Sequence, residues 1–297
     1  MVHLFSIVSV LLLSLLLNSL DYSYTENDVI RKYQLNKINN NSFKDVSTII
    51  LGDSSSGNVI SAQHLYKLSG LKSENLSLTA AWGVEGSLGI LKKSLASNKK
   101  IKNIVIIQTF DVWSSPLTKE SLLELSSILN TLSTINLTDI ISYYFNPREI
   151  IWFLRSFFGF NNELVEIDME NDYMKQKDGK YSNGEKVLSD DFSLNGRLFS
   201  IDKVGEISRL VSFCNDNNLN CILVNGPIHS KLAKQSKKYI QYIIRKLTFF
   251  SSEIQYIANI STFSNSKMGD SDDHLDVAYK KLATKKYYAL IKPYLEW

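Results

Sequence analysis

The sequence predicts an α/β fold, a three-layer sandwich with a central parallel sheet and helices on both faces. Three features lead there. Short apolar runs rich in β-branched residues recur along the chain, each followed by a segment with helical periodicity. The runs are apolar throughout rather than alternating, as expected of strands covered on both sides. The composition, 44% hydrophobic and 21% charged over 297 residues, is that of an ordinary globular chain. It excludes a disordered tail, a collagen-like repeat and a disulfide-dense mini-protein.

The elements follow in order. Residues 48–51 (TIIL) form a first strand, stopped by Gly52-Asp53, and a helix over 57–68 ends at Gly70. A second strand is expected at 75–78 and a helix at 86–98. Residues 104–107 (IVII) give the third strand, and a helix over 117–134 opens with Thr118 and Glu120. A helix at 202–214, a strand at 221–224 stopped by Asn225-Gly226-Pro227, a helix at 230–248, a strand at 254–257 and a final helix at 276–294 complete the body. Right-handed crossovers put the carboxyl ends of such strands, and any site, on one edge of the sheet.

Two regions depart from this rhythm. Leu4 to Leu20 carries no charge, and about 25 Å of helix is at the short end of a bilayer span. A poor small-x-small cleavage pattern favours one uncleaved N-terminal transmembrane helix over a cleaved signal peptide or a buried helix, although the first residues lack Lys or Arg. Residues 1–20 are therefore an expected membrane anchor, 21–44 a juxtamembrane helix or stalk, and 45–297 the body, placed outside the cytoplasm. The second departure is an insertion at about 139–200. Its first part is aromatic (Tyr143, Tyr144, Phe145, Trp152, Phe153, Phe157, Phe158, Phe160), and its second is a polar loop over 166–200. The aromatic part suits either core or a surface that docks on a membrane or membrane partner.

Charge and cysteine content narrow the function. The net charge of +3, with only a modest basic run at Lys231, Lys234, Lys237 and Lys238, does not suit nucleic-acid binding. Cys214 and Cys221 flank a polar turn, either as a disulfide in an oxidising compartment or as two small buried side chains. Two thiols without paired histidines do not make a zinc site, and Asp270-Ser271-Asp272 lacks the rest of a calcium loop. Gly52 to Gly57 lacks the lysine of a phosphate-binding loop, and no Gly-x-Gly-x-x-Gly follows a strand. Neither a metal nor another cofactor is expected.

The chemistry centres on Gly52-Asp53-Ser54. A strand, a tight turn and an immediate helix start lift the Ser54 hydroxyl to the sheet edge, among backbone N–H groups that favour an oxyanion. Helix capping by Asp53 or Ser54 is the simpler alternative. A serine nucleophile needs a base. Of the four histidines, His3 lies at the membrane end, His64 falls mid-helix, and His229 follows a strand near the site edge. His274 lies in Gly269-Asp270-Ser271-Asp272-Asp273-His274, with carboxylates close by to orient an imidazole.

This order of blocks resembles the SGNH (GDSL-type) hydrolase superfamily, and within it membrane-anchored bacterial proteins that acetylate or trim polysaccharides. The resemblance implies a flavodoxin-like sheet, Ser54 as nucleophile and His274 as base, with Asp272 or Asp270 as orienting acid or a Ser-His dyad without one. It implies an oxyanion donor at Gly83 or Gly86, and a third block at Gln108-Thr109-Phe110-Asp111. Phe110 stands where the family has an oxyanion Asn, leaving Gln108 or Asn58 to supply that donor, and Ser271 stands where it has the Asp. The expected activity is an O-acetyltransferase or acetylesterase on a cell-surface polysaccharide. The rival is a non-catalytic subunit that binds glycan or docks a membrane-bound acyltransferase.

Overall fold

A computed structural model describes residues 26–117, 121–122, 125, 166–168, 173–175, 192–269 and 271–297. Helix α1 (Glu26–Asn39) precedes strand β1 (Thr48–Gly52), and two short helices follow it, α2 (Ser54–Val59) and α3 (Ala62–Ser69). Strand β2 (Ser73–Asn75), helix α4 (Gly83–Ser97) and strand β3 (Asn103–Gln108) come next. Strands β4 (Glu166–Asp168) and β5 (Tyr173–Lys175) form an antiparallel pair. The second half runs α5 (Ile201–Asp216), β6 (Asn220–Asn225), β7 (Pro227–His229), α6 (Ser230–Gln235), α7 (Lys237–Thr248), β8 (Gln255–Ile257), β9 (Ser261–Phe263) and α8 (Lys280–Ile291).

The main sheet has the order β2-β1-β3-β6-β8, and every pairing in it is parallel. Counted along the main sheet alone this is 2-1-3-4-5, a doubly wound order with its switch point between β1 and β3. Side chains alternate between two cores because strand residues point to opposite faces in turn. Ile49, Leu51, Ile104, Ile106 and Leu223 face α1, α4, α5 and α7. Ile50, Val105, Ile107, Ile222 and Val224 face α2, α3 and α8, with Tyr287 fully buried among them.

Several boundaries differ from expectation for local reasons. The helix expected over 57–68 begins at Ser54 and breaks at Ile60-Ser61, where the Ser61 hydroxyl caps α3 by accepting the His64 N–H at 3.2 Å. The helix expected over 230–248 breaks at Ser236, whose buried hydroxyl accepts the Leu194 N–H at 2.9 Å. The second strand sits slightly earlier than expected, though Leu76 and Leu78 still donate to Ile50 and Gly52 carbonyls. Strands β7 and β9 form a small parallel pair the sequence did not signal. Within the expected polar loop at 166–200, β4 and β5 pair, and residues 192–200 lie on the body. There Ser200 donates to the Trp113 carbonyl, and Phe199 stacks on Trp113.

The stretch expected to be a juxtamembrane helix or stalk contains α1, which lies on the body. Ile30 and Ile38 are buried, and Gln34 and Lys37 donate to the Ser77 and Asn75 carbonyls at 2.8 and 3.0 Å. Among the described residues no helix is long and apolar enough to cross a membrane. The expected anchor at 1–20 and the aromatic segment at 141–160 lie outside the described residues.

Cys214 and Cys221 form a disulfide joining the end of α5 to the start of β6. Closing so short a loop stabilises by about 2 kcal/mol through the unfolded chain. Replacing both cysteines by serine is expected to lower unfolding free energy by roughly that amount, read from the denaturation midpoint in urea. An unchanged midpoint contradicts the expectation.

Candidate active site

Ser54 occupies the first position of α2, directly after the turn that ends β1. The turn needs glycine at its first position: Gly52 has φ +146°, and any Cβ there would collide with the Ile107 carbonyl of the neighbouring strand. Asp53 is buried, and all of its hydrogen bonds are internal. One oxygen caps α2 by accepting the Ser55 and Ser56 N–H groups at 3.0 and 3.3 Å. The other accepts the Thr109 N–H at 2.8 Å and lies 2.7 Å from the Thr109 hydroxyl. This carboxylate therefore ties the end of β1, the start of α2 and the end of β3 together. Burial, with the Asp273 charge second, pushes its pKa up to about 6, against the Thr109 bonds that pull it down.

His274 arrives from the other end of the chain. Its Nε2 lies 2.8 Å from the Ser54 Oγ across 220 positions of sequence. The loop carrying it is a narrow hairpin: Gly269 donates to the His274 carbonyl at 2.8 Å and Asp276 to the Lys267 carbonyl at 3.0 Å. Leu275, fully buried, anchors its far side. Ser271, where the sequence resemblance implies an acid, accepts the His274 N–H at 3.0 Å and donates to the Asp273 carboxylate. It shapes the backbone of the loop.

The remaining sequence-derived residues divide clearly. The Asp272 carbonyl accepts the His229 N–H at 2.7 Å, and Asp272 lines the cavity beside the dyad. Asp270 lies outside the described residues. His229 is spent on structure. Its Nδ1 accepts the Lys231 N–H at 3.0 Å, which leaves Nε2–H to donate to Asn265 at 3.2 Å. His64 sits on α3, its pKa lowered by burial and by Lys281, Lys67 and Lys285. Asn58 lies four positions after Ser54, on the same face of α2. Gln108 turns inward, its amide nitrogen 3.4 Å from Ser87 on α4. Gly83 has its N–H committed to the Ala80 carbonyl, and Gly86 is needed for close packing against Trp82.

A cavity of about 120 Å³ lies near the pair, reaching it through Thr109 and Asp273, while neither Ser54 nor His274 lines it. Phe110, Phe192, Leu194, Pro227, Ile228 and Leu232 supply its apolar wall. Thr109, Asp111, Arg197, Ser271, Asp272 and Asp273 supply its polar one. Two of these adjoin the dyad closely: Thr109 bonds Asp53, the neighbour of Ser54, and Asp273 precedes His274. Asp111 is half-buried, and burial followed by the Asp273 charge raises its pKa. The wall residues Thr109, Phe192, Leu194 and Arg197 were missed as site residues. Only Thr109 lay in a block the sequence singled out. Residues 192–197 lie at the end of a polar stretch with no motif.

Among the described residues, no group of three or more His, Cys, Asp or Glu side chains is arranged to hold a metal ion. The arrangement can deprotonate a serine hydroxyl at a sheet edge and offer a mixed cavity to whatever is attached to the reacting group.

No protein-family model matches the chain, and no curated protein matches it. Among solved structures the chain is similar to an acetyl xylan esterase, Est2A, from the rumen bacterium Butyrivibrio proteoclasticus, at 11% identity and a TM-score of 0.33. The similarity covers 84% of this chain and 64% of that one, so the chain spans just under two thirds of the esterase's length.

The Ser271 bond to the His274 backbone sets where the imidazole stands. Ser271→Ala removes that bond, worth about 1 kcal/mol, together with the hydroxyl's bond to the Asp273 carboxylate. Reaction of Ser54 with a serine-directed fluorophosphonate is expected to slow about fivefold, with the melting temperature almost unchanged. An unaltered rate removes Ser271 from that role.

Proposed function

We propose that this chain is an acyl-ester enzyme of the SGNH type, anchored outside the cytoplasm and acting on a cell-surface polysaccharide. The observation that carries the proposal is the 2.8 Å contact between Ser54 Oγ and His274 Nε2 at the carboxyl edge of a parallel sheet. His274 takes the hydroxyl proton as Ser54 Oγ bonds to the acyl carbon. The imidazolium then returns the proton to the departing alcohol oxygen, leaving an acyl-serine. A water or sugar hydroxyl gives up its proton to His274 and takes the acyl group, and His274 returns that proton to the departing Ser54 Oγ; the choice of acceptor separates an esterase from an O-acetyltransferase. Asp272 or Asp270 orients the imidazole.

The oxyanion needs donors. The Ser54 N–H is one, because Asp53 caps only the two N–H groups after it. Since the Gly83 N–H is occupied, the second is assigned to Asn58 or to Ala80, which is exposed at the start of a 3₁₀ turn that Thr79 does not cap. The turn runs beside the nucleophile strand, as Leu78 donates to the Gly52 carbonyl. The Cys214–Cys221 disulfide supports an oxidising compartment, and the uncharged Leu4–Leu20 segment supports a membrane attachment there.

The second reading, a non-catalytic subunit that binds glycan or docks a membrane-bound acyltransferase, is favoured by one observation. Phe110 and the committed Gly83 N–H remove two donors that the family resemblance implies. Fluorophosphonate labelling separates the two. The enzyme is expected to take one label, lost in Ser54→Ala and slowed at least about a thousandfold in His274→Ala. Comparing Asp272→Ala with Asp270→Ala then identifies the orienting acid as the slower variant, and equal wild-type rates in both mean a dyad. No adduct on the wild-type chain, or one that survives Ser54→Ala, overturns the enzymatic reading.

A further inference from the structure

The Thr109 hydroxyl stands between two carboxyl groups, and that geometry has a consequence for the nucleophile turn. Its Oγ1 is 2.7 Å from Asp53 Oδ2 and 2.6 Å from Asp111 Oδ1. A hydroxyl carries one proton and can donate to only one of them. With both carboxylates ionised, the other contact would set lone pairs against lone pairs at hydrogen-bonding distance, in a largely buried place.

We propose that Asp53 and Asp111 share a single proton through the Thr109 hydroxyl, and that this bridge is a positioning device for the Ser54 turn. In one arrangement the Asp111 carboxyl donates to Thr109 Oγ1, and the Thr109 hydroxyl donates to Asp53. In the mirror arrangement every proton in the chain moves one place, and the total is unchanged. The pair carries one negative charge rather than two, and both contacts are hydrogen bonds.

The surroundings favour retention of that proton. From the His274 loop the groups facing the pair are Asp272 and Asp273, both acidic. From residues 192–200 comes Arg197, an exposed cation facing Asp111. From α7 comes Tyr239, whose hydroxyl is bonded to the Phe110 carbonyl at 2.9 Å. From α8 comes Tyr287, whose hydroxyl is bonded to the Asn225 carbonyl at 3.1 Å and whose pKa burial raises further. Burial raises the pKa of both carboxyls. Two carboxyls in one hydrogen-bonded chain lose their protons in two steps that belong to the pair. After the second step the Thr109 hydroxyl can hold only one carboxylate, so Asp53 keeps the Thr109 N–H but competes with Asp111 for the hydroxyl, and the link between the Asp53 turn and the β3 end weakens. Asp111 acts through Thr109 and Asp53, and it touches neither Ser54 nor His274 in the contacts above.

Proton sharing stands on geometry alone, whereas the positioning role rests on the acyl-ester reading, and the test separates them. Aspartate carboxyl carbons labelled with carbon-13 are followed by NMR against pH in the wild-type chain, Asp111→Asn and Thr109→Ser. The wild-type chain is expected to show one carboxyl titrating near the value of about 6 to which burial pushes Asp53, well above an ordinary aspartate. Thr109→Ser keeps the hydroxyl and keeps this late step. Asp111→Asn moves it down, since the amide donates to Thr109 without a titrating proton and the Asp111 charge no longer opposes ionisation of Asp53, while burial still holds Asp53 above the ordinary range. Two carboxyls that both finish in the ordinary range in the wild-type chain, or a late step unmoved in Asp111→Asn, overturn the shared proton. In parallel, the wild-type rate of Ser54 labelling divided by that of Asp111→Asn is expected to fall on the alkaline side of the late step, the ratio cancelling what the His274 base contributes to both. A ratio that is flat through the step overturns the positioning role. Absence of labelling at every pH overturns the acyl-ester reading and the positioning role with it, while the carboxyl titration still decides the shared proton. If Asp111→Asn does not fold, Thr109→Val, which keeps the shape and removes the bridging hydroxyl, takes its place: the late step is expected to move, and an unmoved step overturns the shared proton.

Discussion

A single buried carboxylate holds the candidate active site together. Asp53 takes N–H groups from α2 with one oxygen and both Thr109 donors with the other. Strand β1 and strand β3 are neighbours in the sheet, and their carboxyl ends flank the switch point of its winding order. The open crevice there would let the two ends drift. Asp53 closes it from below, and Gly52 lets the chain pass close enough to Ile107 for the bond to form. Ser54 stands on the far side of that clamp, so its position is set by β-sheet geometry rather than by its own side-chain contacts.

The histidine is held by different means. Its loop has no regular element of its own, and its backbone bonds run to Lys267, within the hairpin and to His229. The His229 contact matters because His229 ends β7, which pairs with β9, so this bond ties the hairpin to a small sheet. A residue that sequence reading considered as a possible base thus supports the actual neighbour of Ser54 with its backbone N–H and its neutral ring. The dyad is assembled from a sheet turn on one side and a supported hairpin on the other, 220 positions apart.

Much of this was legible in the sequence, for a physical reason. Central strands of a parallel sheet are buried on both faces, so they must be continuously apolar, and 48–51, 104–107 and 221–224 stand out accordingly. Gly52-Asp53-Ser54 was legible because a tight turn, a cap and a hydroxyl each demand a restricted residue type. What escaped depends on partners distant along the chain. The break at Ser236 exists because the Leu194 backbone reaches its hydroxyl. The inward turn of Gln108 follows from the packing of α4, and the commitment of the Gly83 N–H follows from a 3₁₀ turn that propensity does not reveal. The β4–β5 pair and the small β7–β9 sheet are three-residue strands, too short for periodicity to register.

Asp53 is also a stability cost, and the sign can be worked through. Its pKa is pushed up to about 6 in the folded chain, above its ordinary value of 3.8. A carboxyl raised in this way stabilises the fold fully below the ordinary value, and that contribution is lost as pH rises through about 6. At neutral pH the buried charge therefore works against folding, even with its hydrogen bonds complete. An asparagine could cap α2 with its one oxygen, but its amide nitrogen would then meet the Thr109 N–H donor to donor. The second carboxylate oxygen is what the turn requires, and the buried charge comes with it. The Thr109 hydroxyl links this carboxyl to Asp111 at the cavity wall. The proposed proton sharing couples the charged state of the turn under Ser54 to that of Asp111 in the cavity wall, which a neutral cap could not achieve.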